Sequence, residues 1–422
     1  MTAADISRTI DAIWRIESAR LIAGLARLVR DVGLAEDLAQ DALVSALKQW
    51  PDQGIPDNPA AWLTAVAKRR AIDRFRRDKR AARQQDEMAH LVATLQEAPD
   101  PAAGFGDDLL GLIFTACHPV LSDEARIALT LRLVGGLTTA EIARAFLLSE
   151  ATLAQRIVRA KRALAEAGVP FEIPGDDDRA ARLPSVLKVV YLIFNEGYSA
   201  TAGADWMRPH LCEEAMRLGR ILAHLVPQDA EVQGLLALME IQASRLRARI
   251  GPDGEPILLL DQNRARWDPL LIRRGLQALD RAEASGGVVG PYVLQAAIAA
   301  CHARARTAAE TDWARIAWLY GALGAIMPSP VVELNRAVAI DMAYGPEAGL
   351  QLVDALRQDG SLDDYHLLPA VRGNLLERLG RFDEARAEFE RAAMLTGNAR
   401  EQALMRARAR LVTDQIGRGS TR

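Results

Sequence analysis

LTTAEIARAFLLSEATLAQRIVRAKRAL, from Leu137 to Leu164, reads as a helix, a tight turn and a second, basic helix. Thr138 is placed to cap the first helix, and Glu141 three residues later completes a capping box. Ile142, Ala143 and Phe146 then form one apolar stripe at helical spacing. Ser149 is placed to cap the second helix, whose Leu153, Ile157 and Leu164 are expected to face inward. Thr152, Gln155, Arg156, Arg159, Lys161 and Arg162 then lie on or beside the outer face. Two short helices set at an angle, the second carrying the charge, place side chains in a DNA major groove. An ordinary helical hairpin with a solvated basic face would show the same pattern. Leu147 stands at a turn position that often holds glycine, and φ > 0 there would cost leucine about 1 kcal/mol, so a remodelled turn is expected.

A second basic helix lies upstream in NPAAWLTAVAKRRAIDRFRRDKRAAR, from Asn58 to Arg83. Lys68, Arg69, Arg70, Arg74, Arg76 and Arg77 crowd its C-terminal part, with only Asp73 and Asp78 against them. Trp62, Val66, Ile72 and Phe75 supply an expected apolar anchor. A helix of this kind neutralises phosphates and releases condensed counterions, which makes a salt-sensitive DNA footprint. A charge run alone is usually a solvated face. Two basic helices in separate small units point more strongly to nucleic acid.

The chain has 422 residues, enough for two or three domains, and half of them are hydrophobic. Alanine, leucine and arginine dominate and β-branched runs are scarce, so the expected class is all-α. The net charge is only −3, but the basic helices precede Leu164 while acids gather at Asp176–Asp178 and beyond. That asymmetry suits a DNA-reading front and a different rear. The three cysteines, Cys117, Cys212 and Cys301, form no Cys-x-x-Cys pair, so neither disulfides nor zinc are supported, and Cys117 and Cys301 are expected to be buried and structural. Cys117–His118 and Cys301–His302 are adjacent pairs, which point about 100° apart on a helix and do not readily share one metal. No cofactor is implied. No signal peptide and no membrane-spanning run is read, and a cytoplasmic protein is expected.

The expected organisation has a first helical domain at 1–82, a linker at 83–106 and a helix-turn-helix domain at 107–168. A second linker at 169–181 and a helical-repeat domain at 182–417 follow. In the first domain, Ile13, Ile16, Leu21, Leu25 and Leu28 mark one amphipathic helix. GLAEDLAQDALVSALKQW (Gly33–Trp50) marks another, with Leu34, Leu38, Ala42 and Leu47 inward and Glu36, Asp37 and Asp41 exposed. Near the end, Val332–Leu356 and Leu368–Leu395 both read as helix, Gly-containing turn, helix. Ala348 and Ala385 occupy corresponding points, at a spacing close to the tetratricopeptide period of about 34 residues.

This order of an acidic-faced helix, a Pro-rich loop, a Trp-Leu-led basic helix, a linker and a helix-turn-helix resembles the sigma-70 superfamily. Within it the chain looks like the extracytoplasmic-function class, with conserved regions 2 and 4 over about its first 168 residues. FNEGYSAT (Phe194–Thr201), DGEPILLLDQNRARWD (Asp253–Asp268) and the terminal repeat look like the subgroup with a tetratricopeptide-like C-terminal extension. The resemblance implies that Glu36, Asp37 and Asp41 dock on core RNA polymerase. It implies that Lys68, Arg69, Arg70, Arg74, Arg76 and Arg77 meet the −10 promoter element, and that the outer face of the second helix reads the −35 element. The loop Gln53–Asn58 becomes a candidate pocket for an extruded base, whose flipping costs a few kcal/mol. The rear domain is expected to contact a regulatory protein or the front half, with Asp176, Asp177 and Asp178 as an electrostatic latch on the basic helices.

Two other readings stay open on the residues alone. A helix-turn-helix activator or repressor with a helical sensor domain shares the DNA reader and the rear, but leaves the acidic helix and the first basic helix without a purpose. An enzyme could assemble Asn195, Glu196, Tyr198, Asp205, His210 and Asp261, yet no nucleophile elbow, phosphate loop or metal-spaced cluster accompanies them.

Overall fold

A computed structural model describes residues 3–79, 105–146, 148–172, 174–199, 206–252, 255–286 and 289–419. Leu147 and the stretch 80–104, which holds most of the expected first linker, lie outside these residues. The described residues are helical, with one isolated antiparallel bridge between Ile250 and Pro256. Alanine- and leucine-rich segments with capping residues at their starts give this all-α result. The chain divides into two compact units, Met1–Leu192 and Ile193–Arg422. No helix among the described residues is long and apolar enough to cross a membrane.

The first unit opens with α1 (Ala3–Val29), α2 (Val32–Gln53) and α3 (Pro59–Lys79), packed on one another. Asp31 caps α2 by accepting the Leu34 N–H at 2.9 Å, and Asn58 caps α3 by accepting the Ala61 N–H at 3.0 Å. The apolar seams run partly as expected. Leu21, Leu25 and Leu28 of α1 and Leu38 and Ala42 of α2 are buried, whereas Ile16 and Leu47 are exposed and α2 also buries Ala35, Ala39, Ala46 and Trp50. On α3 the buried line is Leu63, Ala67, Ala71 and Phe75, spaced every four residues, while Trp62, Val66 and Ile72 are half-buried. Trp62 meets the Trp50 ring edge-on at 5.3 Å.

The second group is α4 (Phe105–Ala116), α5 (Asp123–Leu133), α6 (Thr139–Ala145) and α7 (Glu150–Glu166). Helix α4 also packs against α1, so the two groups form one body. Helix α8 (Asp176–Tyr198) starts inside the stretch expected as the second linker, and it contributes to both units. Its first half docks on the α4–α5 corner. Arg182 donates to the Phe114 carbonyl at 3.0 Å, Ser185 donates to the Cys117 carbonyl at 3.0 Å, and Lys188 pairs with Asp123 at 2.7 Å.

The second unit continues with α9 (Pro209–Leu225), α10 (Ala230–Ala243), α11 (Pro269–Ala284), α12 (Pro291–Arg304) and α13 (Trp313–Ile326). It ends with α14 (Pro330–Tyr344), α15 (Pro346–Asp359), α16 (Leu367–Arg378), α17 (Phe382–Leu395) and α18 (Ala399–Gly419). Proline at the first helical position starts several of these helices, where its missing N–H costs nothing. Most of these helices pack mainly on their neighbours in sequence, while α12 packs chiefly on α10. The last five share a core of Leu334, Leu350, Val353, Leu376, Phe389 and Val412. Asp354 and the buried Glu388 flank it, and Arg372 bridges them at 2.8 and 2.9 Å. The three cysteines are buried free thiols. Burial pushes the Cys117 thiol up to about 11 and the Cys212 thiol up to about 12, which leaves both uncharged and inert at neutral pH.

The α10–α12 crossing is set by Gly234. A Cβ there would stand 2.7 Å from the Val293 backbone nitrogen and 2.8 Å from its Cγ2. Gly234→Ala is expected to destabilise the second unit by about 1–3 kcal/mol through overpacking, read as a lower urea midpoint. Full wild-type stability would show that the crossing is looser than described.

Candidate nucleic-acid interface

The helix-turn-helix forms as its local chemistry dictates. The Thr138 N–H donates to Glu141 Oε2 at 2.8 Å, and the Glu141 N–H donates to Thr138 Oγ1 at 3.1 Å, a closed capping box on α6. Ser149 Oγ accepts the Thr152 N–H at 3.1 Å and starts α7. Leu153, Ile157, Ala160 and Leu164 bury one face of α7. Thr152, Gln155, Arg159 and Arg162 are exposed on the other, and Arg156 is half-buried. A groove of about 350 Å³ runs between α7 and the start of α5, lined by Val120, Ser122, Thr152, Gln155, Arg156 and Arg159. Arg162 pairs with Glu166 at 2.6 Å along the helix.

Lys161 does not join that outer face. It forms an ion pair with Glu36 Oε2, and Arg132 at the end of α5 reaches Glu36 Oε1 at 2.6 Å. Gln40 donates to the same oxygen at 2.5 Å. The expectation that Glu36 stays exposed is therefore corrected, since it is 2% exposed. Burial alone would raise its pKa, but the Lys161 and Arg132 charges outweigh burial and hold the carboxyl below its ordinary value. One buried carboxylate of α2 thus fastens the front helices to the helix-turn-helix. Asp37, the next residue, and Asp41, just over a turn further on, are exposed.

On α3, Arg69 and Arg74 are exposed. Arg70 is drawn back to α2, pairing with Asp41 at 3.1 Å and donating to Ser45 Oγ at 2.8 Å. Lys68 is half-buried, and first burial, then the Arg27 charge, hold its ammonium below the ordinary lysine value. Arg76 and Arg77 lie on the same helix, but their side chains fall outside the described residues. The loop before α3 is largely exposed, with Gly54 at φ +84°, and Asn58 is committed to capping.

The expected latch acids sit in the first turn of α8. Asp178 is exposed there, and the side chains of Asp176 and Asp177 fall outside the described residues. The two helical groups meet instead through Glu36, the α1–α4 packing and the Arg27–Asp108 pair. Of the residues considered for an enzyme, Glu196 is paired with Arg208, and Asp205 lies outside the described residues.

Comparisons with known proteins follow this layout. Residues 16–81 match the family model of Sigma-70 region 2, and residues 112–164 match that of Sigma-70, region 4. Residues 182–283 match a family of unknown function, DUF6596. An uncharacterized protein of Rhizobium meliloti (strain 1021) is 46% identical over 386 residues, 90% of this chain and 90% of that protein. The ECF RNA polymerase sigma factor SigK of Mycobacterium ulcerans (strain Agy99) is 31% identical over 144 residues, 33% of this chain and 75% of the relative. SigK of Mycobacterium tuberculosis (strain ATCC 25618 / H37Rv) is 30% identical over 142 residues, 33% of this chain and 74% of the relative. No solved structure matches the chain significantly.

Glu36→Gln leaves Arg132 and Lys161 facing a neutral group. Removing one partner of an enclosed pair costs roughly 3–5 kcal/mol; because both cations are partly solvated, about 2–3 kcal/mol is expected here. The folded chain binds the Glu36 proton more weakly than the unfolded chain. Its stabilisation is complete above the unfolded carboxyl value of about 4.3 and fades as pH falls through the lower folded value. Urea unfolding should therefore show a gap between wild type and Glu36→Gln that narrows below about pH 4. A gap that stays constant on acidification would refute the assignment.

Proposed function

Because the chain belongs to the sigma-70 family, as an extracytoplasmic-function-type sigma factor with an added C-terminal domain, we propose that it acts in the cytoplasm, where it binds core RNA polymerase and directs it to promoters. The observation that carries the reading is the capped helix α7, which presents Thr152, Gln155 and Arg159 beside an open groove. Its N-terminal half reaches base edges of the −35 element, with Arg156 beside it. Arg162 favours phosphate. Lys161 joins it only after release from Glu36. On the −10 side, Arg69 and Arg74 are free to meet DNA in this arrangement, while Arg70 must first leave Asp41. Arg76, Arg77 and Lys68 complete the basic stretch.

Helix α2 is the docking helix for polymerase, with Asp37 and Asp41 as its accessible acids. Reading two promoter elements at once requires the two helical groups to part. The arrangement described here is then a closed state, and polymerase binding supplies the free energy that separates Glu36 from Lys161 and Arg132. The rear unit regulates this step. Its consecutive helix pairs from α14 onward suit a tetratricopeptide-like surface for a regulatory protein or for the front half. A helix-turn-helix regulator that works without being a sigma factor would show no activity with core enzyme alone, and run-off transcription separates the two.

Gln155→Ala or Arg159→Ala is expected to change preference among −35 sequences by about 1–3 kcal/mol per lost contact. Arg74→Ala should weaken promoter binding evenly and lower the salt slope by about one unit. Competition binding of holoenzyme across −35 variants is the measurement, and unchanged preference in both α7 variants sinks the assignment of α7. Asp37→Lys should reduce co-purification with tagged core polymerase while leaving stability within about 0.5 kcal/mol of wild type. Undiminished co-purification would remove α2 from the docking surface.

A further inference from the structure

Promoter reading makes no use of the two sequence stretches around Tyr198 and Trp267. In the second unit they converge on a cluster of arginines. The Arg245 guanidinium carbon lies 5.8 Å from the Tyr198 ring centroid and 5.8 Å from that of Trp267, and its Nη2 donates to the Tyr198 hydroxyl at 2.7 Å. Arg249 sits over Tyr198 at 3.6 Å and over Trp206 at 4.3 Å, and is 6% exposed. Arg264 stacks on Trp267 at 4.8 Å and donates to the Ala305 carbonyl at 2.7 Å, closing the end of α12. The ring faces offer these cations their negative quadrupole, which offsets only part of the charge.

None of the three guanidiniums forms an ion pair with a carboxylate among the described residues. The two carboxylates whose charge reaches them bind other groups. Glu310 accepts the Arg306 N–H at 3.1 Å, and Glu401 accepts from the Trp206 indole N–H at 3.3 Å and from Thr396 at 2.8 Å and pairs with His366 at 3.1 Å. His302 brings no compensating charge. Burial, then Arg245 and Arg264, push it down to about 3, so the ring is neutral. The same neighbourhood also leaves polar atoms unmet. Arg245 Nε, Trp267 Nε1 and His302 Nδ1 are buried without a hydrogen-bond partner, and Trp267 and His302 are each more than nine-tenths buried. Native proteins seldom leave buried donors unused, and several in one charged cluster call for a common partner. Water would accept the donors but leave the charge. A cation would be repelled. An anion with several acceptor oxygens meets both needs, because charge-assisted bonds from guanidinium and indole N–H are strong.

We propose that the Arg245–Arg264–Trp267–His302 cluster binds a phosphate-type oxyanion, free or carried on a small molecule. This makes the rear unit a ligand-binding module as well as part of a sigma factor.

The test uses the full chain at constant ionic strength, with inorganic phosphate, adenosine monophosphate and adenosine as probes. Phosphate and adenosine monophosphate should each raise the unfolding temperature and shift the Trp267 indole N–H resonance, identified by its absence in Trp267→Phe. Adenosine should do neither. Equal responses to the two anions indicate a free oxyanion, and a stronger response to adenosine monophosphate indicates a phosphate on a carrier. Arg245→Met should weaken the apparent affinity about tenfold or more, while Arg247→Ala, an exposed neighbour, should leave it unchanged. A Trp267 resonance unmoved by both anions overturns the proposal, and that titration decides even if Arg245→Met does not fold. A response fully retained in a folded Arg245→Met also overturns it.

Discussion

A buried carboxylate needs a reason to stay charged, and Glu36 has two, Arg132 and Lys161. Neither partner belongs to its own helical group. Arg132 is 96 residues away in sequence and closes α5, and Lys161 sits in the C-terminal part of α7. Enclosing one carboxylate and two cations is costly unless the geometry is met in full, so the contact specifies a register between the groups more than it adds stability. It also fixes which side of α7 faces out. With Lys161 turned toward α2, the exposed face is left to Thr152, Gln155 and Arg159. The α1–α4 packing and the Arg27–Asp108 pair at 3.1 Å reinforce the same register.

Much of this was legible in local sequence chemistry. The capping box of Thr138 and Glu141, the Ser149 cap and the inward line of Leu153, Ile157 and Leu164 all form where the residues indicate, because caps and helical periodicity are short-range effects. Glu36 was illegible for the opposite reason. On its own helix it stands beside Asp37 and near Asp41, and all three look solvated until the partner helix is known. The contact seams are partly hidden for a related reason. Size and spacing point Ile16 of α1 and Leu47 of α2 inward, yet close packing among the front helices selects alanine at the contact, as at Ala35, Ala39, Ala67 and Ala71. The candidate basic contacts on α3 divide in the same way. Periodicity places Arg69 and Arg70 together, but only the folded pairing shows that Arg70 is held by Asp41 and Ser45.

The second unit handles charge differently. From α14 onward its cations are matched at close range, as where Arg372 spans Asp354 and Glu388 and Arg378 pairs with Asp341. Around Arg245, Arg249 and Arg264 the partners are aromatic rings and carbonyls instead. Rings bind cations through a fixed quadrupole and leave the net charge in place. Two regions of one unit, built from similar helices, therefore differ in whether carboxylates among the described residues pair with their cations. That contrast separates a stabilising network from a site with charge to spare.

The pairs of the first unit also differ in how DNA and salt would act on them. The Asp41–Arg70 pair is about half-exposed on both sides, so ions screen it and a phosphate can replace Asp41 at little cost. The Glu36 contact is enclosed and is screened much less. Raising salt therefore loosens the surface pairs and weakens phosphate contacts together, without opening the join between the helical groups. Opening the join must also undo the α1–α4 packing, which salt does not screen. On the proposed function, the groups therefore part when a protein partner binds the front helices, rather than when ionic conditions change.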